Sequence, residues 1–166
     1  MRYYCFVDFE TTGLDARTDL PIEVAAILTD LSFTELGRYT AIIGWPKLVA
    51  ESEWLPEHQP AAGIHGIEFR EYKEQAQAPE KVAEALTALC PDDAETVLVS
   101  DNIHFDYSFM EGLFERVGLP LPFHYLGFDT GLLLAVFGLE DPESIHRAAA
   151  DVEQILHVVR GAADLI

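Results

Sequence analysis

Basic residues are scarce in this chain, which has 10 Lys and Arg against 29 Asp and Glu among its 166 residues. The formal net charge is −19, and no two basic residues are adjacent. Proteins that bind nucleic acid by neutralising phosphates typically use about 6 to 10 basic contacts. The composition therefore excludes a basic stripe for a long polyanion. Two possibilities remain: the protein binds no nucleic acid, or it binds a short piece that is held by metal, backbone donors and base stacking.

Long hydrophobic runs are also missing. Apolar stretches such as Gly131–Gly138 and Val24–Leu28 are far shorter than the roughly 18 to 20 residues of a membrane span. Asp8 interrupts the first apolar run too early for a secretory signal. We therefore expect a cytoplasmic protein without membrane contact. Cys5 and Cys90 form no C-x-x-C motif, which favours buried, reduced thiols over a disulfide or a zinc site.

The length and an apolar fraction of 49% predict a single α/β domain over residues 1–166. The early strands are joined by short turns and predict an antiparallel meander, whereas later alternation of strands and helices predicts parallel strands covered by helices. The expected sheet is mixed and has about five strands. The expected strands are Tyr3–Val7, Pro21–Asp30, Leu36–Gly44, Thr96–Ser100 and His124–Phe128. The expected helices are Ala78–Cys90, Phe105–Val117, Thr130–Phe137 and Ser144–Arg160, and Lys47–Arg70 is expected to form short helical pieces and loops.

The stretch Tyr3–Leu14 contains the first acidic element. Asp8 and Glu10 lie two residues apart after an apolar run, so the strand pleat points both carboxylates to one side. Two carboxylates at the edge of an apolar core repel each other, and a divalent cation removes that penalty. Thr11–Gly13 then suits a turn that comes close to a ligand. Because D-x-E is common, the alternative is a pair of solvated residues at a strand end.

A second acidic element follows the strand Thr96–Ser100. Ligand sites in α/β sheets gather at the carboxyl ends of strands, which is where Asp106 is expected. The alternative is structural: Asp101 or Asn102 could cap the helix, and Asp106 could be an acid favoured by the helix dipole.

The third element is His146 and Asp151, at the start of the last predicted helix. Five residues correspond to about 500° of helix, so on one regular helix the two side chains would point about 140° apart. They can share a site only by flanking it, or if His146 precedes the regular helix. The alternative is that both are solvated surface residues.

The three elements together resemble the DEDDh group of 3′–5′ exonucleases in the DnaQ-like, ribonuclease H-related superfamily. The group's motifs D-x-E, N-x-x-F-D and H-x-x-x-x-D are matched by Asp8 and Glu10, by Asn102, Phe105 and Asp106, and by His146 and Asp151. Ile64–Ile67 resembles a further segment common in these enzymes. The matches follow the family's order along the chain, and the joint pattern is specific although each piece is weak. Asp101 departs from the pattern, since many relatives have His there.

The resemblance implies a ribonuclease H-like fold and metal-dependent removal of nucleotides from the 3′ end of single-stranded DNA or RNA, with release of nucleoside 5′-monophosphates. It implies two divalent cations, Mg²⁺ or Mn²⁺, bound by Asp8, Glu10, Asp106 and Asp151. His146 would take the proton from the attacking water. The residues expected to hold the terminal nucleotide are Phe9, Thr11, Leu14, Asn102 and Phe105. Leu14 and Phe105 could equally be core residues.

Alternative functions remain at this point. The acidity and the segment IEVAAILTD favour an oligoribonuclease-like scavenger of very short oligonucleotides. A proofreading or accessory subunit would act through a polymerase partner that supplies the basic surface, and an inactive scaffold would not need four clustered carboxylates. Relatives of this kind are often homodimers. Patterns typical of P-loop, zinc-protease, serine-hydrolase and dinucleotide-binding proteins are absent.

Overall fold

The computed structural model describes residues 1–48, 50, 54, 61–138 and 144–163. Its strands are β1 Arg2–Thr11, β2 Pro21–Thr29, β3 Glu35–Ile42, β4 Glu95–Ser100 and β5 Gly127–Asp129. Its helices are α1 Ala62–His65, α2 Phe69–Gln75, α3 Pro79–Leu89, α4 Ile103–Val117, α5 Thr130–Phe137 and α6 Ala148–Ala163. A single turn of 3₁₀ helix spans Pro46–Leu48.

The five described strands form one sheet in the order β3-β2-β1-β4-β5. β1 pairs antiparallel with β2, which pairs antiparallel with β3. On its other side β1 pairs parallel with β4, and β4 pairs parallel with β5. The expected mixed α/β sheet, with the antiparallel meander first and parallel strands after it, is confirmed.

The two faces of β1 enter different cores. Cys5, Val7 and Phe9 belong to the larger core, which includes buried residues of α3 and α4. Phe6 belongs to the smaller core, which is formed with α6. Because side chains alternate along a strand, Asp8 and Glu10 lie on the same face as Phe6. The sequence of β1 therefore points both carboxylates towards α6.

Helix α6 covers that face because its apolar residues recur at helical spacing. Val152, Ile155, Leu156 and Val159 are all buried, and they pack against Phe6 of β1 and Ile27 of β2. This packing brings the first turn of α6 to the acidic part of β1.

Most element bounds differ from the sequence-based expectation by no more than two residues, and three elements differ by more. β1 continues through Thr11, so the acidic pair lies within the strand and the turn starts only at Thr12. The fifth strand is Gly127–Asp129 rather than His124–Phe128. The last helix begins at Ala148 rather than Ser144, because the backbone N–H groups of Ile145 and Arg147 donate to the Asp151 carboxylate.

The expected short pieces in Lys47–Arg70 correspond in part to α1 and the start of α2, whereas Pro56 and Pro60 lie outside the described residues. Both cysteines are free, as expected, but only Cys5 is fully buried, whereas Cys90 is partly buried. Within the described ranges, no helix has the length and apolar character needed to cross a membrane.

Candidate active site

Asp8 and Glu10 come from the middle and end of β1, next to a register shift between Glu10 and Thr11. Thr11 closes the following turn by donating its hydroxyl to the Gly13 carbonyl at 2.6 Å. A Cβ at Gly13 would lie 2.4 Å from the Asp19 carboxylate, so a larger residue there would displace that side chain. The close approach expected at this glycine is therefore to Asp19 of the same loop.

Asp151 lies in the first turn of α6 and is buried. Its Oδ1 accepts from the Ile145 N–H at 2.8 Å, and its Oδ2 accepts from the Ser144 hydroxyl at 2.9 Å and the Arg147 N–H at 3.2 Å. These bonds fold residues 144–147 back over the carboxylate.

His146 belongs to that folded-back segment and has a φ of 58°, in the left-handed region that non-glycine residues rarely adopt. It therefore precedes the regular helix, and the 140° separation that a continuous helix would impose does not apply. His146 and Asp151 line the same cleft.

Asp106 lies in the first turn of α4 and is 3% exposed. Its Oδ1 accepts from the Phe9 N–H at 3.1 Å, which ties α4 to β1 beside the acidic pair. The capping alternative receives no support from Asn102, which occupies the N-cap position without a capping side-chain hydrogen bond. Instead, Asp129 accepts from the Ile103 N–H at 3.3 Å.

One carboxylate oxygen from each of Asp8, Glu10 and Asp151 lies within 4.8 Å of the other two. In the part of the chain that the structure describes, no other such group of three potential ligands occurs. Three convergent carboxylates are the oxygen donor set that hard divalent cations prefer. Asp106 lies in the same cleft but outside this compact group, and its Oδ1 accepts from the Phe9 N–H.

The acidic side chains are strongly perturbed. Burial, together with the charges of Asp106, Glu10 and Asp151, raises the pKa of Asp8 well above its usual range. Burial and the neighbouring Glu23 raise the pKa of Glu10 to about 8. Burial also raises the pKa of Asp106 to about 7. Burial and mutual repulsion thus favour the protonated forms of these groups, and a bound cation would favour their ionised forms.

The cleft around these carboxylates has a volume of about 660 Å³. It brings together all ten residues that the sequence predicted for the site: Asp8, Phe9, Glu10, Thr11, Leu14, Asn102, Phe105, Asp106, His146 and Asp151.

Leu14 and Phe105 were each expected to be either a cleft residue or a core residue, and their environments differ. Leu14 is 88% exposed and is not a core residue. Phe105 is half-buried against the larger core, with its ring 4.7 Å from that of Phe109, and it also lines the cleft.

Sequence reasoning missed several residues at or beside the cleft. Ser144 lines it, as does Ile64, which is 59% exposed and was expected only as part of a segment that resembles these enzymes, without a place in the site. Glu23 and Arg147 form an ion pair behind Glu10, at 2.9 Å. The available signal was Glu23 itself, the one charged residue in the mostly apolar β2 sequence PIEVAAILT, since a buried charge requires a partner.

The chain matches a known protein family over most of its length. The RNase T family model, described as Exonuclease, matches residues 5–159. The chain belongs to this exonuclease family. The expected exonuclease of the DnaQ-like superfamily is therefore confirmed, whereas the DEDDh subtype stays a prediction.

Curated relatives in this exonuclease family include two oligoribonucleases. The oligoribonuclease of Neisseria meningitidis serogroup C is 28% identical over 132 residues, which cover 78% of this chain and 69% of that protein. The oligoribonuclease of Dichelobacter nodosus is 26% identical over 166 residues, which cover 93% of this chain and 89% of that protein.

Solved structures of Exonuclease I share the fold. The enzyme from Methylocaldum szegediense superposes with a TM-score of 0.76 at 21% identity, over 99% of this chain and 41% of that chain. E. coli Exonuclease I in complex with a dT13 oligonucleotide superposes with a TM-score of 0.73 at 21% identity, over 96% of this chain and 40% of that chain. This chain thus spans about two fifths of the length of these structures, and the likeness concerns the fold.

Proposed function

We propose that this protein is a metal-dependent 3′–5′ exonuclease that hydrolyses single-stranded DNA or RNA from the 3′ end and releases nucleoside 5′-monophosphates. The observation that carries the proposal is the convergence of three carboxylates and His146 in one cleft of an exonuclease-family chain. Family membership supports the reaction class, and the cleft supplies the chemical groups.

In this proposal Asp8, Glu10 and Asp151 hold divalent cations, and Asp106 completes the set. When bound, two such ions would polarise the phosphodiester and stabilise the charge on the attacking and leaving oxygens. Mg²⁺ and Mn²⁺ suit an all-carboxylate site. His146 accepts the proton of the attacking water, since an imidazole can exchange protons near neutral pH. Leu14 and Phe105 provide apolar contacts for the terminal base, Asn102 provides a polar contact, and the backbone at Phe9 and Thr11 faces the terminal nucleotide.

The preferred substrates in this proposal are very short oligonucleotides. No Lys or Arg is found among the described residues that line the cleft. Several basic side chains are already engaged elsewhere, as Arg116 donates to the Ala16 carbonyl and Arg160 to the Phe33 carbonyl. A long strand would therefore find few cationic contacts beyond the first nucleotides. The oligoribonuclease relatives support the same preference. A homodimer and a polymerase partner stay predictions.

The reaction is tested by a time course on 3′- and 5′-labelled single strands of two to about thirty nucleotides, with Mg²⁺, Mn²⁺ or a chelator. We expect stepwise, metal-dependent shortening from the 3′ end, with rates that fall as the substrate lengthens. Length-independent rates would contradict the short-substrate preference. No cleavage of any substrate with either metal would contradict the exonuclease proposal itself.

Two substitutions test the residue roles. Asp8→Ala and His146→Ala should each reduce hydrolysis by about 100-fold or more, since positioned proton transfer and metal binding contribute on that scale. Asp93→Ala and His157→Ala are matched controls, because both of these side chains are exposed and neither lines the cleft. Activity of His146→Ala equal to that of His157→Ala would remove His146 from the mechanism.

A further inference from the structure

Glu23 is a further carboxylate that lies beside the group formed by Asp8, Glu10 and Asp151. It lies on β2 directly opposite Glu10 of β1, and it is 3% exposed. Side chains of directly opposed residues project to the same face of an antiparallel pair, with Cβ atoms about 5 Å apart. A carboxylate buried at this position is stable only with hydrogen bonds and a compensating charge. Without such partners, the Glu23 carboxylate would coordinate a cation bound in the cleft.

Arg147 supplies the compensating charge. Its Nη2 donates to Glu23 Oε1 at 2.9 Å, and its Nε donates to Glu23 Oε2 at 3.3 Å. Ala148, the first residue of α6, donates its N–H to Glu23 Oε2 at 3.0 Å. Both oxygens of Glu23 are thus held by the segment that begins α6. A two-pronged arginine contact of this kind fixes orientation as well as charge.

The same guanidinium reaches a third element. Arg147 Nη2 also donates to Glu71 Oε1 of α2 at 2.8 Å. The backbone N–H of Arg147 donates to Asp151, as described above, and Arg147 directly follows His146. One side chain therefore joins α2, β2 and the loop that presents His146. Because His146 is held at a positive φ between these anchors, its direction depends on them.

We propose that Arg147 is a positioning residue that aims His146 and Asp151 into the cleft and keeps Glu23 out of the metal site. This inference rests on the proposed exonuclease function, since it assigns a role within that site. Arg147 does not itself line the cleft, and it reaches the cleft only through its backbone N–H, which donates to Asp151. It acts through Glu23, whose two oxygens it occupies, and through the short loop between Ser144 and α6.

The test compares four variants in the full chain: Arg147→Gln, Arg147→Lys, Glu23→Gln and the double variant Arg147→Gln/Glu23→Gln. The matched control is Arg38→Gln. Arg38 Nη1 contacts Glu153 Oε1 at 2.6 Å, which also ties α6 to the sheet but on its exposed side. The measurements are kcat and KM on a dinucleotide, Mn²⁺ binding by electron paramagnetic resonance, and Tm.

We expect kcat of Arg147→Gln to fall about tenfold to 100-fold with KM little changed, since misplaced catalytic groups cost on this scale. Its Mn²⁺ affinity should rise about threefold or more, because an unpaired Glu23 adds a negative charge beside Glu10. The double variant removes that charge and should return Mn²⁺ affinity to within about twofold of wild type. Arg147→Lys keeps the positive charge but loses the two-pronged guanidinium contact, so it should show part of the kcat loss. This variant replaces Arg147→Gln in the comparison if Arg147→Gln does not fold. Arg38→Gln should keep kcat within about twofold, since exposed ion pairs contribute little.

Two results would overturn the inference. One is a kcat and a Mn²⁺ affinity of Arg147→Gln that both match those of Arg38→Gln. The other is a parallel loss of kcat, Mn²⁺ affinity and Tm, which would make Arg147 a general stabilising residue. Failure of the proposed function would look different, because wild-type protein would then cleave no substrate. In that case the Mn²⁺ affinities still decide whether Arg147 keeps Glu23 away from the cation.

Discussion

The stability of the metal-free protein should fall as the pH rises, because the cleft buries carboxylates that resist ionising. Glu10 shows the effect most simply, as its pKa is raised from 4.5 to about 8. The native state therefore binds this proton more tightly than the unfolded state does. Between these two pKa values the native state carries more protons, so the free energy of unfolding decreases with rising pH and levels off above about pH 8.

The magnitude follows from the same pKa values. Each pKa unit corresponds to about 1.36 kcal/mol, so the change from 4.5 to about 8 sets an upper bound of about 4 to 5 kcal/mol. Glu10 faces a cleft that water can enter, and we expect about 2 kcal/mol to be realised at pH 8. For a chain of this size that amount corresponds to about 4 to 8 °C in Tm.

The perturbation is Glu10→Gln, which keeps the shape and removes the charge. Thermal unfolding is followed by circular dichroism in EDTA and in saturating Mn²⁺, from pH 5 to pH 8.5. In EDTA the Tm of the wild type should fall as the pH rises across this range. The Tm of Glu10→Gln should fall less, and this variant should be the more stable protein at pH 8. Mn²⁺ should raise the Tm of wild type more than that of the variant, because the ion neutralises the same carboxylate.

Glu84→Gln is the matched control, since Glu84 is an exposed glutamate on α3. It removes the same unit of charge from a protein of net charge −19 without touching the cleft. A wild-type Tm in EDTA that stays level or rises between pH 5 and pH 8 would refute the reasoning. So would a Glu10→Gln protein no more stable at pH 8 than Glu84→Gln.

Two further substitutions test other parts of the molecule. Leu14→Ala should raise KM about fivefold or more with kcat nearly unchanged, because a lost apolar contact of about 1 kcal/mol weakens substrate binding alone. The control in steady-state assays is Leu31→Ala, at another exposed leucine. An unchanged KM of Leu14→Ala would mean that Leu14 does not touch substrate. Asp129→Ala should lower the free energy of unfolding by about 1 to 2 kcal/mol in denaturant, because Asp129 accepts from the N–H groups of Ile103 and Leu132 at the starts of α4 and α5. Asp93→Ala is the control, and equal stability of the two variants would contradict the capping role.

Local patterns were sufficient to predict most of the sheet and the helices. The helix Thr130–Phe137 was predicted with its observed bounds, since Gly138 ends it with a φ of 64°. The strand at Gly127–Asp129 was misplaced because its position depends on another element. A Cβ at Gly127 would lie 2.2 Å from the Ile103 side chain, so Ile103 packs closely against the glycine of this strand. That contact with α4 cannot be read from the alternation of residues within the strand.

The candidate site was predictable where its residues follow a motif and not where they depend on tertiary contacts. Asp8, Glu10, Asp106, His146 and Asp151 were found as a joint pattern, and they line one cleft. Glu23 and Arg147 are separated by 124 positions in the chain, and their ion pair appears only when α6 packs on β2. The start of α6 at Ala148 depends on that pair, since Glu23 accepts the N–H of Ala148.

Asp151 joins the two parts of this site. Its two oxygens accept three hydrogen bonds from residues 144–147, and one of them also lies within 4.8 Å of Asp8 and Glu10 oxygens. A carboxylate offers about four lone-pair positions, so loop donors and a cation can share it. A cation at these carboxylates would therefore act on the loop that carries His146 through a single side chain. Glu23 contacts the same loop from the sheet through Arg147, so the proposed metal binding and the direction of His146 would be coupled through the packing of α6.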